Sequence, residues 1–170
     1  VIPMATVKSY DELLGAKELL ELTSTTGISA EVNKTVSSES CEETVTTPSG
    51  KVRVKVGPGY YLAELTAPNR TVRFEYEGVF SNKTVRFIKM FNATCKITES
   101  PTGIVEEVWT RRGYLKRESY LGDEKEYARG NLYKLEDDLE WCINILKREI
   151  VWLLNNTDEL CQQPSKWWSA

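Results

Sequence analysis

The chain's 170 residues suit one domain with a substantial core, expected to span 1–170 with 157–170 as a C-terminal tail. With 41% apolar and 28% charged residues it is globular rather than disordered, and a net charge of −3 argues against a general nucleic-acid binder. No apolar run approaches the roughly 18 residues a membrane span requires, since the longest, CINILKREIVWLL, is interrupted by Lys147, Arg148 and Glu149.

The opening VIPMATVKSY has neither the basic start nor the apolar centre of a secretory leader, so an exported form is expected to be mature or trimmed. In SYDELLGAKELLEL, Ser9 and Glu12 form a capping box, and Leu13, Ala16 and Leu20 recur at helical spacing, which predicts a helix over Ser9 to Leu22. Residues 24–49, rich in Ser, Thr and Glu, read as a strand from Ile28 to Val36 followed by an exposed loop.

From Lys51 the period becomes two: Val52, Val54 and Val56 alternate with Lys51, Arg53 and Lys55. Turns at GPG (57–59), APN (67–69) and SNK (81–83) separate further strands, YYLAELT and 70–80. Residues 84–98 read as one strand, with Val85, Phe87, Phe91, Ala93, Cys95 and Ile97 inward and Arg86, Asn92, Thr94, Lys96 and Thr98 outward. TGIVEEVWT, GYLKRESYLG and YARGNLY continue the meander. A long helix then begins near Leu132, with Leu135, Leu139, Cys142, Ile143, Leu146, Ile150 and Leu153 in one stripe. Trp141, Ile145 and Trp152 lie on another face, and Asn155-Asn156 is expected to break the helix.

The fold class expected is therefore α+β: an N-terminal helix, a curved antiparallel meander of six or seven strands, and a long C-terminal helix packed on the sheet. As element order alone this resembles the lipoprotein-carrier folds of bacterial envelopes and the helix-grip lipid-binding folds. That resemblance implies a sheet–helix cleft holding acyl chains and carries over no residue.

Five N-x-T triplets begin at Asn33, Asn69, Asn82, Asn92 and Asn155. Eight Asn residues would give roughly one such triplet by chance, so the excess points to a glycosylated surface protein. Cys41, Cys95, Cys142 and Cys161 lack C-x-x-C spacing and there is no His, which disfavours zinc and favours two disulfides in an oxidising compartment. Of the three connectivities, Cys41–Cys95 with Cys142–Cys161 is the expected one. The lack of His, the scarcity of Gln and the abundance of Lys, Arg and Glu match hyperthermophilic, archaeal proteins.

Without His, Ser, Cys and Thr hydrolase arrangements lose their usual base. The carboxylate pairs Glu42-Glu43, Glu106-Glu107 and Asp137-Asp138 read as solvated charge, GDEKE (122–126) lacks calcium-loop spacing, and VGPGYY lacks a phosphate-loop lysine. No catalytic residue, metal or cofactor is expected. The reading is a non-catalytic extracellular or cell-surface binding domain for an apolar small molecule, a lipid or a protein partner, with Trp109, Trp141, Ile145 and Trp152 as site candidates. The alternative is a structural surface glycoprotein of an envelope, filament, virus-like coat or mobile element. Trp167 and Trp168 are expected to pack back onto the domain, mark a partner interface or precede a removed membrane anchor.

Overall fold

A computed structural model describes residues 30–162. Ten strands follow one another: β1 (Glu31–Val36), β2 (Cys41–Thr47), β3 (Gly50–Gly57), β4 (Tyr60–Ala67), β5 (Arg70–Glu77), β6 (Lys83–Met90), β7 (Ala93–Ser100), β8 (Gly103–Thr110), β9 (Gly113–Tyr120) and β10 (Asp123–Gly130). One helix, α1 (Leu132–Thr157), comes after them. Every strand pairs antiparallel with its sequence neighbour, so spatial order equals chain order, with β1 and β10 at the edges.

The expected α+β architecture of six or seven strands is thus corrected to a ten-stranded sheet with one C-terminal helix. The helix expected over Ser9 to Leu22 lies outside the described residues. Beyond the strand expected over Ile28 to Val36 and the seven of the meander, two misreadings account for the remaining strands. CEETVTT was hidden in a Thr- and Glu-rich stretch expected to be loop, yet it forms β2, with Cys41, Val45 and Thr47 buried. The segment 84–98 is two strands joined at Phe91-Asn92, a turn without Gly or Pro. That turn resets the alternation, so Ile88 and Met90 face the core while Val85 and Phe87 face away.

Seven of the nine strand connections are two residues long, which fixes register between neighbours. Pro48, Pro58, Pro68 and Pro101 each open such a turn, where the ring's fixed φ suits the first position. Leu121 and Gly122 both have positive φ, 48° and 89°, the handedness that matches the strand twist. Gly130 has φ +129° and lies so close to the Arg112 carbonyl that a Cβ would sit 2.2 Å from it. Gly is required where the chain leaves β10 for the helix.

One face of the sheet carries Val52, Val54, Ala63, Leu65, Val72, Ile88, Cys95, Val108 and Leu115, all buried. Helix α1 lies across it and adds Leu135, Leu139, Cys142, Ile143, Leu146, Ile150 and Leu153 to a single apolar cluster. The helix starts where Asn131 Oδ1 accepts from Lys134 N at 3.2 Å. It does not break at Asn155-Asn156. Asn156 Nδ2 donates to Trp152 O (2.7 Å) and Thr157 Oγ1 to Leu153 O (2.6 Å), occupying carbonyls of the last turn.

Three bonds tie the helix and the segment after it to the sheet. Within the buried layer, Arg70 Nε on β5 donates to Glu149 Oε1 at 2.7 Å. Past the helix, Cys161 N donates to Glu43 Oε1 at 3.0 Å, and Cys161 is disulfide-bonded to Cys41 with Cα atoms 5.8 Å apart. The expected pairing Cys41–Cys95 with Cys142–Cys161 is therefore wrong. Cys142 precedes Thr157 by 15 helical positions, about 23 Å along the axis, so the returning chain meets β2 and not Cys142.

Candidate interaction surface

The opposite face of the sheet carries no helix among the described residues. Antiparallel register lines its side chains up in rows. The central row reads Arg53, Glu64, Arg73, Phe87, Lys96, Glu107, Lys116 and Tyr127, so opposite charges stand on neighbouring strands, where cross-strand pairs stabilise. Arg73 reaches Glu64 Oε2 (3.6 Å) from one guanidinium nitrogen and Glu75 Oε2 (3.6 Å) from another. Arg53 Nη1 bonds Glu42 Oε2 at 3.2 Å.

Leu62 belongs to this face by register, opposite Lys55 and Glu75, and is only 1% exposed. Tyr60 OH donates to Glu75 Oε2 at 2.7 Å, and burial first, then that bond to a carboxylate, pushes its pKa up to about 12.

Aromatic rings form the other half of the surface. Trp109, 39% exposed, stands beside Tyr114 (centroids 5.1 Å), and Tyr114 beside Tyr127 (6.1 Å). Tyr114 OH donates to Glu107 Oε2 at 2.6 Å, and burial together with this carboxylate raises its pKa. Between the charged ladder and the rings lies an open hollow of about 740 Å³, lined by Arg73, Glu75, Val85, Phe87, Lys96 and Trp109 among others.

The remaining site candidates lie in the other layer. Trp141 and Ile145 are half-buried against the core cluster, and Trp152 is half-buried further along α1. Trp141 borders a second hollow, about 370 Å³, between the helix and the turns before β7 and β9. There Thr110 Oγ1 donates to Asp138 Oδ2 at 3.2 Å and Arg112 Nε lies 3.8 Å from the same oxygen. Trp109 is thus separated by the sheet from Trp141, Ile145 and Trp152, and no single site unites the four. Phe87, Tyr114 and Tyr127 were missed. Once Phe91-Asn92 is read as a turn, the near ten-residue strand repeat places them beside Trp109.

The glycan acceptors avoid the middle of the open face. Asn69 and Asn82 are exposed in turns, Asn155 is exposed on α1, and Asn33 projects from edge strand β1. Asn92, expected on an outward strand face, is in the β6–β7 turn instead and half-buried, with Oδ1 enclosed and unbonded. No group of three His, Cys, Asp or Glu side chains among the described residues is arranged to hold a metal ion. No helix among them is long and apolar enough to cross a membrane. Comparison with protein-family models, curated proteins and solved structures returns no match.

Proposed function

We propose that this domain is an extracytoplasmic binding module that takes a protein partner on the face of its sheet opposite α1. The observation that carries the reading is the hollow of about 740 Å³ where an exposed Trp109 and the half-buried Phe87 and Val85 are framed by paired charges. Protein interfaces centre on such aromatic and arginine anchors, with polar groups around them.

Size supports the reading. Ten strands at about 4.8 Å spacing and eight-residue strands rising about 3.3 Å per residue give a face of roughly 43 by 23 Å, about 1,000 Å². A stable complex buries about 800 Å² per partner. A protein is favoured over an acyl chain because side chains of the apolar cluster fill the layer between sheet and helix. The acceptor positions agree: Asn33 is four strand spacings from β5, about 19 Å, and the others are at turns or on the helix. The disulfide fits an oxidising compartment.

The test is a tetramer of the chain applied to an array of purified secreted and cell-surface ectodomains. A partner retained by the wild type and by Phe80→Ser at the β5–β6 turn, but lost with Trp109→Glu, is the expected result. Binding that survives Trp109→Glu and a second open-face change, Phe87→Glu, would contradict the assignment.

A further inference from the structure

We infer that Cys95 and Cys142 form a second disulfide that joins the centre of the sheet to the centre of the helix. With Cys41 bonded to Cys161, they are the two remaining thiols of a four-cysteine chain. Cys95 is mid-strand in β7, in register with Ile88 on β6 and Val108 on β8, on the face that α1 covers. Cys142 is on the buried stripe of α1, one turn after Leu139 and one before Leu146. Both are fully buried in the same apolar cluster. Helix α1 packs most closely on β7 and β8, which sets the Cys142 thiol against Cys95.

The chemistry is balanced by a disulfide oxidant of the kind that maintains oxidising compartments, such as oxidised glutathione. One cysteine thiolate attacks the oxidant's sulfur and releases one reduced thiol. The second cysteine then attacks the mixed disulfide and releases the other. The protein loses two hydrogens, and the oxidant becomes two thiols.

Burial gives this bond an order of events. The hydrogen bond to Cys142, and then burial, raise the Cys95 pKa, so the attacking thiolate is scarce once the helix has docked. Oxidation therefore belongs to the stage at which α1 is settling onto β7, and the finished bond is shielded from external reductant. The link closes 47 positions (142 − 95) inside the 120-position span of Cys41–Cys161. It pins the helix at its middle as well as just past its end.

The experiment uses the full chain secreted by eukaryotic cells and, in parallel, the reduced, unfolded chain refolded in a glutathione redox buffer. Each sample is quenched in acid, unfolded, alkylated with iodoacetamide without reduction and, after glycan removal, weighed intact and as peptides. The expected result is no alkylation, a mass about 4 Da below the fully reduced chain for two disulfides, and a cross-linked peptide containing Cys95 and Cys142. Alkylation of both Cys95 and Cys142 in the folded product would overturn the proposal. A cross-link from either of them to Cys41 or Cys161 would do the same.

Discussion

Replacing Glu149 with Ala tests how the helix is locked to the sheet. The Arg70 and Glu149 side chains are 2% and 1% exposed, and their contact is 2.7 Å. Two unit charges about 4 Å apart attract by about 4 kcal/mol at an effective dielectric constant near 20. Much of that attraction offsets the cost of taking both groups out of water. Removing the carboxylate alone takes the 2.7 Å ion-pair partner from a buried guanidinium, which typically costs about 3–5 kcal/mol. For a chain of this size that corresponds to a fall in Tm of roughly 8–16 °C. The double variant Arg70→Met, Glu149→Leu removes both charges and keeps the volume, so its stability should lie within about 1 kcal/mol of wild type. The assay is urea unfolding, disulfides intact, monitored by tryptophan fluorescence on wild type, Glu149→Ala, Arg70→Met and the double variant. Strong coupling is expected, with each single change far worse than the pair. If the two single losses simply add, or Glu149→Ala costs less than about 1 kcal/mol, the reasoning about this pair is refuted.

The same geometry sets other outcomes. Tyr60 has a pKa raised to about 12 by burial and its bond to Glu75, so its contribution is fully present below about pH 10 and is lost as pH rises toward 12. Tyr60→Phe should flatten that decline and remove a late step from the 295 nm absorbance titration; an unchanged titration curve would contradict this. Cys41→Ser opens a closed loop of 120 positions and should cost about 4–5 kcal/mol in non-reducing urea unfolding, whereas an unchanged midpoint would mean that the disulfide adds nothing to stability. Native mass spectrometry should give a monomer without a lipid-sized companion. A mass released on denaturation would favour an acyl carrier, and a bare oligomer would favour a structural subunit.

Much of the meander was legible because its signals are local. Val52, Val54 and Val56 announce β3 by alternation, Pro58-Gly59 and Pro68-Asn69 mark the ends of β3 and β4, and the stripe from Leu135 to Leu153 fixes the helix and its buried face. Legibility failed where composition masked alternation, as at β2, and where a turn lacked Gly or Pro, as at Phe91-Asn92. The second failure reached the candidate site, because it turned Val85 and Phe87 to the wrong face and hid the neighbours of Trp109. The disulfide pairing and the buried partnership of Arg70 with Glu149, 79 positions apart, depend on how α1 crosses the sheet. No periodicity along the chain encodes that crossing.

The most direct test of the open face uses the sequence's own chemistry. Lys96→Asn, with Ile97 and Thr98 unchanged, creates an N-x-T triplet at the centre of that face, beside Trp109 and Phe87 in the hollow. Binding of the ectodomain identified with the tetramer would be measured by biolayer interferometry for wild type, for glycosylated Lys96→Asn, and for the same variant trimmed to a single sugar by an endoglycosidase. A partner seated on the open face predicts at least a tenfold loss of affinity with the full glycan and recovery on trimming. Unchanged affinity with a full glycan on that position would mean that the partner sits elsewhere.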